Sequence, residues 1–529
     1  MANTTFDFTD IPFFNSLVKD YLSGELSSDF YGEQANLEGF KNQIEKVQFS
    51  KSKREVLVAS LKQQYQGFSS EIISNQITSL SRENTYTITT GHQLNLATGP
   101  LYFLYKIAHV ISLSEYLNTQ FTDCHFVPVY WMATEDHDFA EINHFFSEGK
   151  KFVWESEQEG AVGRFSTTGI ASVIKALIGQ YPSAPFNDEL NTLLESAYKE
   201  RSLSEATRKL VHQLFGDKGL VVIDADRKDL KGLATHLWSK ELETGFSAIE
   251  VSEQNARLEM KGYPIQVNPR EINLFYLEEN KRTRILKEGT DTYSLADHSM
   301  RWTKKDLFEE VQTHPERISP NVLLRPLYQE TILPNLAYIG GGGELSYWLQ
   351  LKTTFESANL RFPILIARNS FLLVDQKTVK KSKALDLDWV HFFKSKDALI
   401  NFEIRRVSNI DLDFTPAHKL LEDQFIRLRQ IARETDKSFE GAVNAQEKKQ
   451  KKGLQQLEKR LLKAQKRVLS DHVSRIAELH DIIKPLGGHQ ERIENFSFFY
   501  NQLGNALIDK LIQESDSIQG KFIVVEWDA

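Results

Sequence analysis

The chain has 529 residues and a single cysteine, Cys124. No intrachain disulfide and no cysteine-ligated zinc site can form, and so few thiols suit a reducing compartment. Cys124 abuts the apolar run HFVPVYW, where a free thiol packs as a small apolar residue rather than serving as a nucleophile. Long hydrophobic runs are missing too: nothing approaches the roughly 18 apolar residues that a membrane span needs. The opening MANTTFDFTDIPFF lacks the basic flank and unbroken apolar core of a secretory leader. These absences predict a cytoplasmic protein with no membrane partner. Positive charge is not in excess either, since the net charge is -8 and the pI about 6.0. That balance argues against a nucleic-acid partner, although one pocket can still be locally positive.

What is present is ordinary for a protein with a substantial core: 41% hydrophobic and 26% charged residues, in a length that allows two or three domains. The first eighty residues carry helical spacing, as in Phe14, Leu17, Val18 and Tyr21. A β-rich run from Tyr86 to Gly91, a helix opening near Pro100 and a second apolar strand from Phe126 to Trp131 make a βαβ signature. Further strands are expected at Leu220–Ile223, Val322–Leu324, Tyr338–Ile339 and Ile364–Ala367. The fold class is therefore α/β, a Rossmann-like parallel sheet whose ligands lie beyond the carboxyl ends of its strands. This core should span 1–410, with insertions near 140–215 (a hairpin, then helices) and 255–315 (antiparallel strands). From 411 to 484 proline and glycine nearly vanish. Leu454, Leu457, Leu461, Ala464 and Val468 form a coiled-coil seam, which Val473, Ile476, Leu479 and Ile483 resume one residue out of phase. A seam so narrow needs a partner helix, from this chain or another subunit. Residues 485–529 regain globular character and end in FIVVEW, a strand returning to the core.

Three segments could carry chemistry. In TTGHQLNLATGP, Gly91 permits close backbone approach, and His92 and Gln93 can donate to phosphate oxygens at a strand-to-helix turn; equally, Gly and His frequent ordinary turns. Lys106, further along the helix, reads as surface. In YWMATEDHDFAEINH, the residues Glu135, Asp136, His137 and Asp138 follow a buried strand. Such a cluster suits holding an ammonium group, holding magnesium beside a nucleotide, or taking a proton from an amine; a hydrated acidic loop is the plainer reading. His137, His144 and a carboxylate are also acceptable zinc ligands. In SPNVLLRPLYQETILPNLAYIGGGGE, the glycines Gly340, Gly341, Gly342 and Gly343 lie between strand and helix. They can cradle an anion through backbone amides, though the spacing is neither the dinucleotide fingerprint nor a P-loop. Asn321, Arg325 and Arg368 sit beside strand ends. Arginine suits carboxylate or phosphate, or closes a structural ion pair. Asp224, Asp226, Asn273, Arg282 and Arg284 are weaker candidates.

Taken together these segments, with GYPIQVNPREINLFY and PLGGHQERIENFSFFYNQLG, closely resemble the bacillithiol-synthesis cysteine-adding ligases. Gly488–His489 departs from the more basic pair expected there. The resemblance implies a synthetase-like Rossmann core with connecting-peptide-like insertions and a coiled coil that makes a homodimer. It also implies that cysteine is joined through its carboxyl group to the amine of glucosaminyl-malate, with ATP or ADP as nucleotide. On the chemistry of such a reaction, His92, Asp136, His137 and Asp138 are expected to be catalytic. Gly91, Gln93 and Gly340 to Gly343 would face the nucleotide, with magnesium an open question, and Glu135, Asn321, Arg325 and Arg368 would face the substrates. A metal-dependent hydrolase or transferase centred on the acidic turn, or a coiled-coil scaffold with a degenerate nucleotide fold, are the competing readings.

Overall fold

The computed structural model describes residues 4–435 and 437–527. It forms two compact units: one takes the chain up to Leu373 together with Gln490–Trp527, the other takes Val374–His489. Among the described residues no helix is long and apolar enough to cross a membrane.

The larger unit is built on five parallel strands in the order Ile364–Ala367, Asn335–Gly340, Thr85–His92, His125–Met132 and Val221–Asp224. The strand Thr85–His92 is buried along all but its last residue, as expected for the centre of a sheet covered on both faces. Helix Tyr102–Gln120 joins it to His125–Met132, and is buried on nearly every side from Phe103 to Ser114. Ile88, Val110, Leu113, Phe126, Leu336 and Ile364 pack together in one core cluster, with Cys124 partly buried against it. Burial pushes the Cys124 thiol upward, and Asp123 adds to the shift.

Both insertions are present. His144–Ser147 and Lys150–Val153 form a hairpin whose turn residues Glu148 and Gly149 have φ of 48° and 75°, the geometry of a tight two-residue turn. Helices Ile170–Ile178, Asn187–Ala197 and Leu203–Phe215 follow. In the second insertion Leu274–Leu277, Arg282–Lys287, Thr292–Leu295 and Arg301–Thr303 are antiparallel, and Ile318–Pro320 adds beside Leu274–Leu277. Val322–Leu324, expected as a strand, is a turn. The Asn321 side chain accepts from the amides of Leu323 (2.9 Å) and Leu324 (3.3 Å), and Pro326 then starts helix Arg325–Ile332. The first eighty residues are largely helical as expected, in Ser16–Ser23, Leu37–Lys46, Lys51–Gln64 and Glu71–Ser79, preceded by a strand the pattern did not reveal, Thr4–Phe6. It pairs antiparallel with Phe522–Trp527. That final strand thus returns to the larger unit, but to a separate three-stranded sheet shared with Ser370–Asp375, not to the parallel one.

The smaller unit starts at Val374, well before position 411, because helices Gln376–Ala384 and Lys396–Val407 pack on Ser470–Ile483. Helix Thr415–Arg433 lies against Lys437–Val468, closing over Phe425, Ala432 and Val443. The helix that carries the first seam segment therefore has a partner within its own chain, although none of Leu454, Leu457, Leu461, Ala464 and Val468 belongs to that cluster. The seam's outer members Leu457 and Val468 remain 56% and 75% exposed. The phase slip falls where the helix breaks at Leu469.

Candidate active site

Parallel strands end on one edge of their sheet, and three neighbouring strands here end in the three polar turns singled out above. They converge on one cavity of about 560 Å³ in the larger unit. Gly91, His92, Gln93, Glu135, Asp136, Gly341, Gly342, Gly343, Asn321, Arg325 and Arg368 all line it. Gly340, His137 and Asp138 do not.

Gly91 lies in close approach to its neighbours. A Cβ there would stand 3.3 Å from the Tyr338 hydroxyl and 3.4 Å from Arg325 Nη1. His92 packs at tilted angles against the rings of Tyr102 and Phe103, and its buried Nε2 has no partner among the described residues. Burial, then the cations of Lys106 and Arg368, hold its pKa well below the ordinary value, so the ring is neutral. Gln93 donates to Asp136 (2.7 Å) and Glu141 (2.8 Å), clamping the acidic turn. The loop beyond is held by Asn495, whose amide donates to the carbonyls of Ala97 and Gly99.

In the acidic turn only Glu135 and Asp136 face the cavity. Asp138 caps the short helix Phe139–Ile142, accepting from the Glu141 amide. His137 stands at the rim, where its Nδ1 lies 3.0 Å from Arg282 Nη1 and therefore accepts. Burial and Arg282 both lower the His137 pKa. His144 bonds its neighbour Asn143. Among the described residues no three His, Cys, Asp or Glu side chains gather to share a metal ion, so the zinc set of His137, His144 and a carboxylate is not formed.

None of Gly340 to Gly343 has positive φ. The first amide of the turn, that of Gly341, is taken by Glu344 at 2.9 Å. Glu344 also accepts from Tyr338 (2.6 Å) and pairs with Lys106 at 2.5 Å. Close packing demands one of the glycines: a Cβ at Gly342 would meet the Phe14 ring at 2.5 Å, whereas one at Gly343 would meet nothing within 4 Å. Lys106 was expected on the surface. Its side chain is 4% exposed and donates to the Gly91 carbonyl at 2.9 Å. The sequence signal was there, because LYFLYKIAHVISL is apolar all round and a lysine inside such a helix must find an inner partner. Burial pulls the Lys106 pKa down against Glu344, with Arg368 and Arg325 adding to the fall.

The arginines divide into two kinds. Arg368 spends its fork on Glu491, leaving only Nε unpartnered, so it is not free to grip a carboxylate in the way expected of it. Asn321 is likewise occupied, capping its turn and donating to Asn273. Arg325, Arg282 and Arg492 line the cavity, and among the described residues no carboxylate lies within ion-pair distance of them. Arg325 bonds Gln329 (3.0 Å) and Tyr347 (3.2 Å) amid the rings of Trp131, Tyr338 and Trp348. Arg282 reaches in from the second insertion, over the Phe275 ring. Arg492, in the short helix Gln490–Ile493 just after Gly488–His489, had no distinguishing local pattern.

The family model described as "Bacillithiol biosynthesis BshC, N-terminal Rossmann-like domain" matches residues 1–369, and that for the "C-terminal coiled-coil domain" matches 371–527. The chain belongs to the BshC family of bacillithiol biosynthesis. A BshC relative from Flavobacterium johnsoniae, named "Putative cysteine ligase BshC", is 46% identical over 521 residues, 97% of each chain. One of the same name from Christiangramia forsetii is 43% identical over 534 residues, 99% of each chain. Another from Bacillus mycoides is 27% identical over 531 residues, covering 96% of this chain and 98% of its own. The BshC domain boundary near 370 agrees with the division at Leu373.

Proposed function

We propose that this cavity joins the carboxyl group of cysteine to the amine of glucosaminyl-malate, forming the amide of bacillithiol after activation of the carboxyl by ATP. The observation that carries this reading is the presence of opposites in one cavity: three guanidiniums with no carboxylate partner among the described residues (Arg282, Arg325, Arg492) share it with the carboxylates Glu135 and Asp136, while a third, Glu344, is taken by Lys106. Such a surface suits a substrate that carries both carboxylates and an amine. Malate carboxylates fit these guanidiniums, and Arg325 keeps a second N–H on each Nη beyond those given to Gln329 and Tyr347. An ammonium group fits Glu135 and Asp136.

A free carboxylate does not form an amide in water without activation. In the proposed sequence a cysteine carboxylate oxygen attacks a phosphorus of ATP, releasing pyrophosphate or ADP. The amine nitrogen then attacks the acyl carbon, the C–O bond to phosphorus breaks, and AMP or phosphate leaves. Lys106, neutral His92 as a donor and the amides around Gly91 and Gly343 suit the phosphoryl charge. Glu135 or Asp136 takes the ammonium proton. Two copies pairing through the exposed Leu457 and Val468 of the coiled coil would make the cytoplasmic homodimer, a point for sedimentation.

The deciding test is incubation with cysteine, glucosaminyl-malate and ATP, with mass detection of the thiol and of AMP against ADP. Bacillithiol formed only with nucleotide supports the reading. No product from folded protein refutes it.

A further inference from the structure

Behind the acidic turn lies a row of alternating charges that the cavity itself does not display. Lys231, in helix Lys228–Gly232, has a fully buried side chain. Its Nζ donates to Asp226 at 2.7 Å and to the Glu316 carbonyl at 3.1 Å, and it ion-pairs directly with Glu135. Asp226 in turn takes Arg164, from Nε at 3.0 Å and Nη2 at 2.8 Å. The row Arg164, Asp226, Lys231, Glu135 is neutral as a whole, and its last member lines the cavity.

Burying a lysine between two carboxylates is a poor way to gain stability, since desolvation consumes most of the attraction and an apolar cluster of the same volume serves as well. The arrangement does fix Glu135. Asp136, by contrast, is held from the cavity side by Gln93 and by the His137 amide. Of the two acids, only Glu135 is backed by a cation outside the cavity.

We propose that Lys231 is a positioning residue for the amide-forming step: it holds the Glu135 carboxylate toward the attacking amine, and Glu135 takes that amine's proton. This rests on the function proposed above. The amine arrives as ammonium. One N–H proton passes to Glu135, the freed lone pair forms the C–N bond, and the C–O bond to phosphorus breaks with its electrons on the departing phosphate. Glu135 returns the proton to solvent as product leaves.

The electrostatics around Glu135 suit a base, because they hold its pKa above the ordinary carboxylate value. Burial raises its pKa; Lys231 and then Arg282 oppose the rise, and Asp226 adds to it. Tyr328 packs close enough to feel the charge, Asp136 is its chain neighbour, and Arg164 acts through Asp226.

The test is kcat/KM for glucosaminyl-malate against pH in the full-length protein. Its acid limb should report Glu135. Lys231→Met removes the cation and should move that limb up by about one pH unit, whereas Asp226→Asn removes an anion and should move it down. Lys231→Arg should restore the limb toward its original position. Glu135→Gln should lower product formation by about a hundredfold while keeping cysteine-dependent ATP cleavage, which needs no amine base. A merely structural role would change amplitude without opposite displacements. If Lys231→Met does not fold, the downward shift of Asp226→Asn decides alone. Limbs that stay fixed, or an unimpaired Glu135→Gln, overturn the proposal. Failure of the unaltered protein to make bacillithiol overturns the amide-forming reading instead.

Discussion

Arg368 and Glu491 meet fork to fork, Nη1 to Oε2 at 2.8 Å and Nη2 to Oε1 at 2.6 Å, with side chains 3% and 1% exposed. The pair ties the end of the parallel strand Ile364–Ala367 to the segment that re-enters the larger unit after the coiled coil. Removing one partner strands a buried charge, so Arg368→Met should destabilise that unit by about 3–5 kcal/mol in denaturant unfolding. Arg368→Met with Glu491→Leu should recover much of the loss. A single variant as stable as the parent would show that the pair is not dry.

Arg325 should behave in the opposite way. Its hydrogen-bond partners among the described residues are neutral, Gln329 and Tyr347. Arg325→Lys keeps the charge and loses the fork, so KM for glucosaminyl-malate should rise about 10- to 100-fold with stability within about 1 kcal/mol of the parent. An unchanged KM would remove Arg325 from carboxylate recognition.

Gly91→Ala probes the same guanidinium from behind. The added methyl would press on Arg325 Nη1 and the Tyr338 hydroxyl at 3.3 to 3.4 Å, a distance a small displacement can relieve. Folding should survive at a cost of about 1–3 kcal/mol, while glucosaminyl-malate binding weakens in step with Arg325→Lys. Thermal unfolding and KM measured side by side separate the two effects.

Glu330 carries a prediction for stability against pH. Burial raises its pKa to about 8, against the hydrogen bonds from Gln329 and Asn335 and the charge of Arg325. The folded state therefore holds a proton that the unfolded chain releases above about pH 4.5. Its contribution is full at low pH and is lost as pH rises from there through about 8. Glu330→Gln keeps an acceptor for both amides without the titration. It should match the parent near pH 4 and exceed it near pH 8.5 by a few kcal/mol, on the order of 1.4 per pH unit. Parallel stability curves would rule the titration out.

The parallel strands and their polar turns were legible because both signals are local: β-rich runs ending in Gly91 and Gly340, and the Glu135–Asp138 cluster after HFVPVYWM. Convergence followed from topology, since neighbouring parallel strands must end on the same edge. What was not legible is who pairs with whom. Arg368 and Glu491 are 123 positions apart, and neither has a local feature that announces the other. Lys231, likewise, has no local feature that points to Asp226 or Glu135. Val322–Leu324 misled because three apolar residues read as a strand, while the Asn321 cap and Pro326 impose a turn. Asp138 and His137 were overvalued on composition, since a cluster in sequence points its members in different directions.

Both Glu491 and the strand Phe522–Trp527 leave the ribosome only after the whole of Val374–His489. Until then Arg368 has no counter-charge and Thr4–Phe6 has no strand beside it. A nascent chain halted anywhere in the coiled coil thus holds an unfinished pocket, so competence for chemistry should arrive as a late event of synthesis rather than accumulating as the amino-terminal residues emerge.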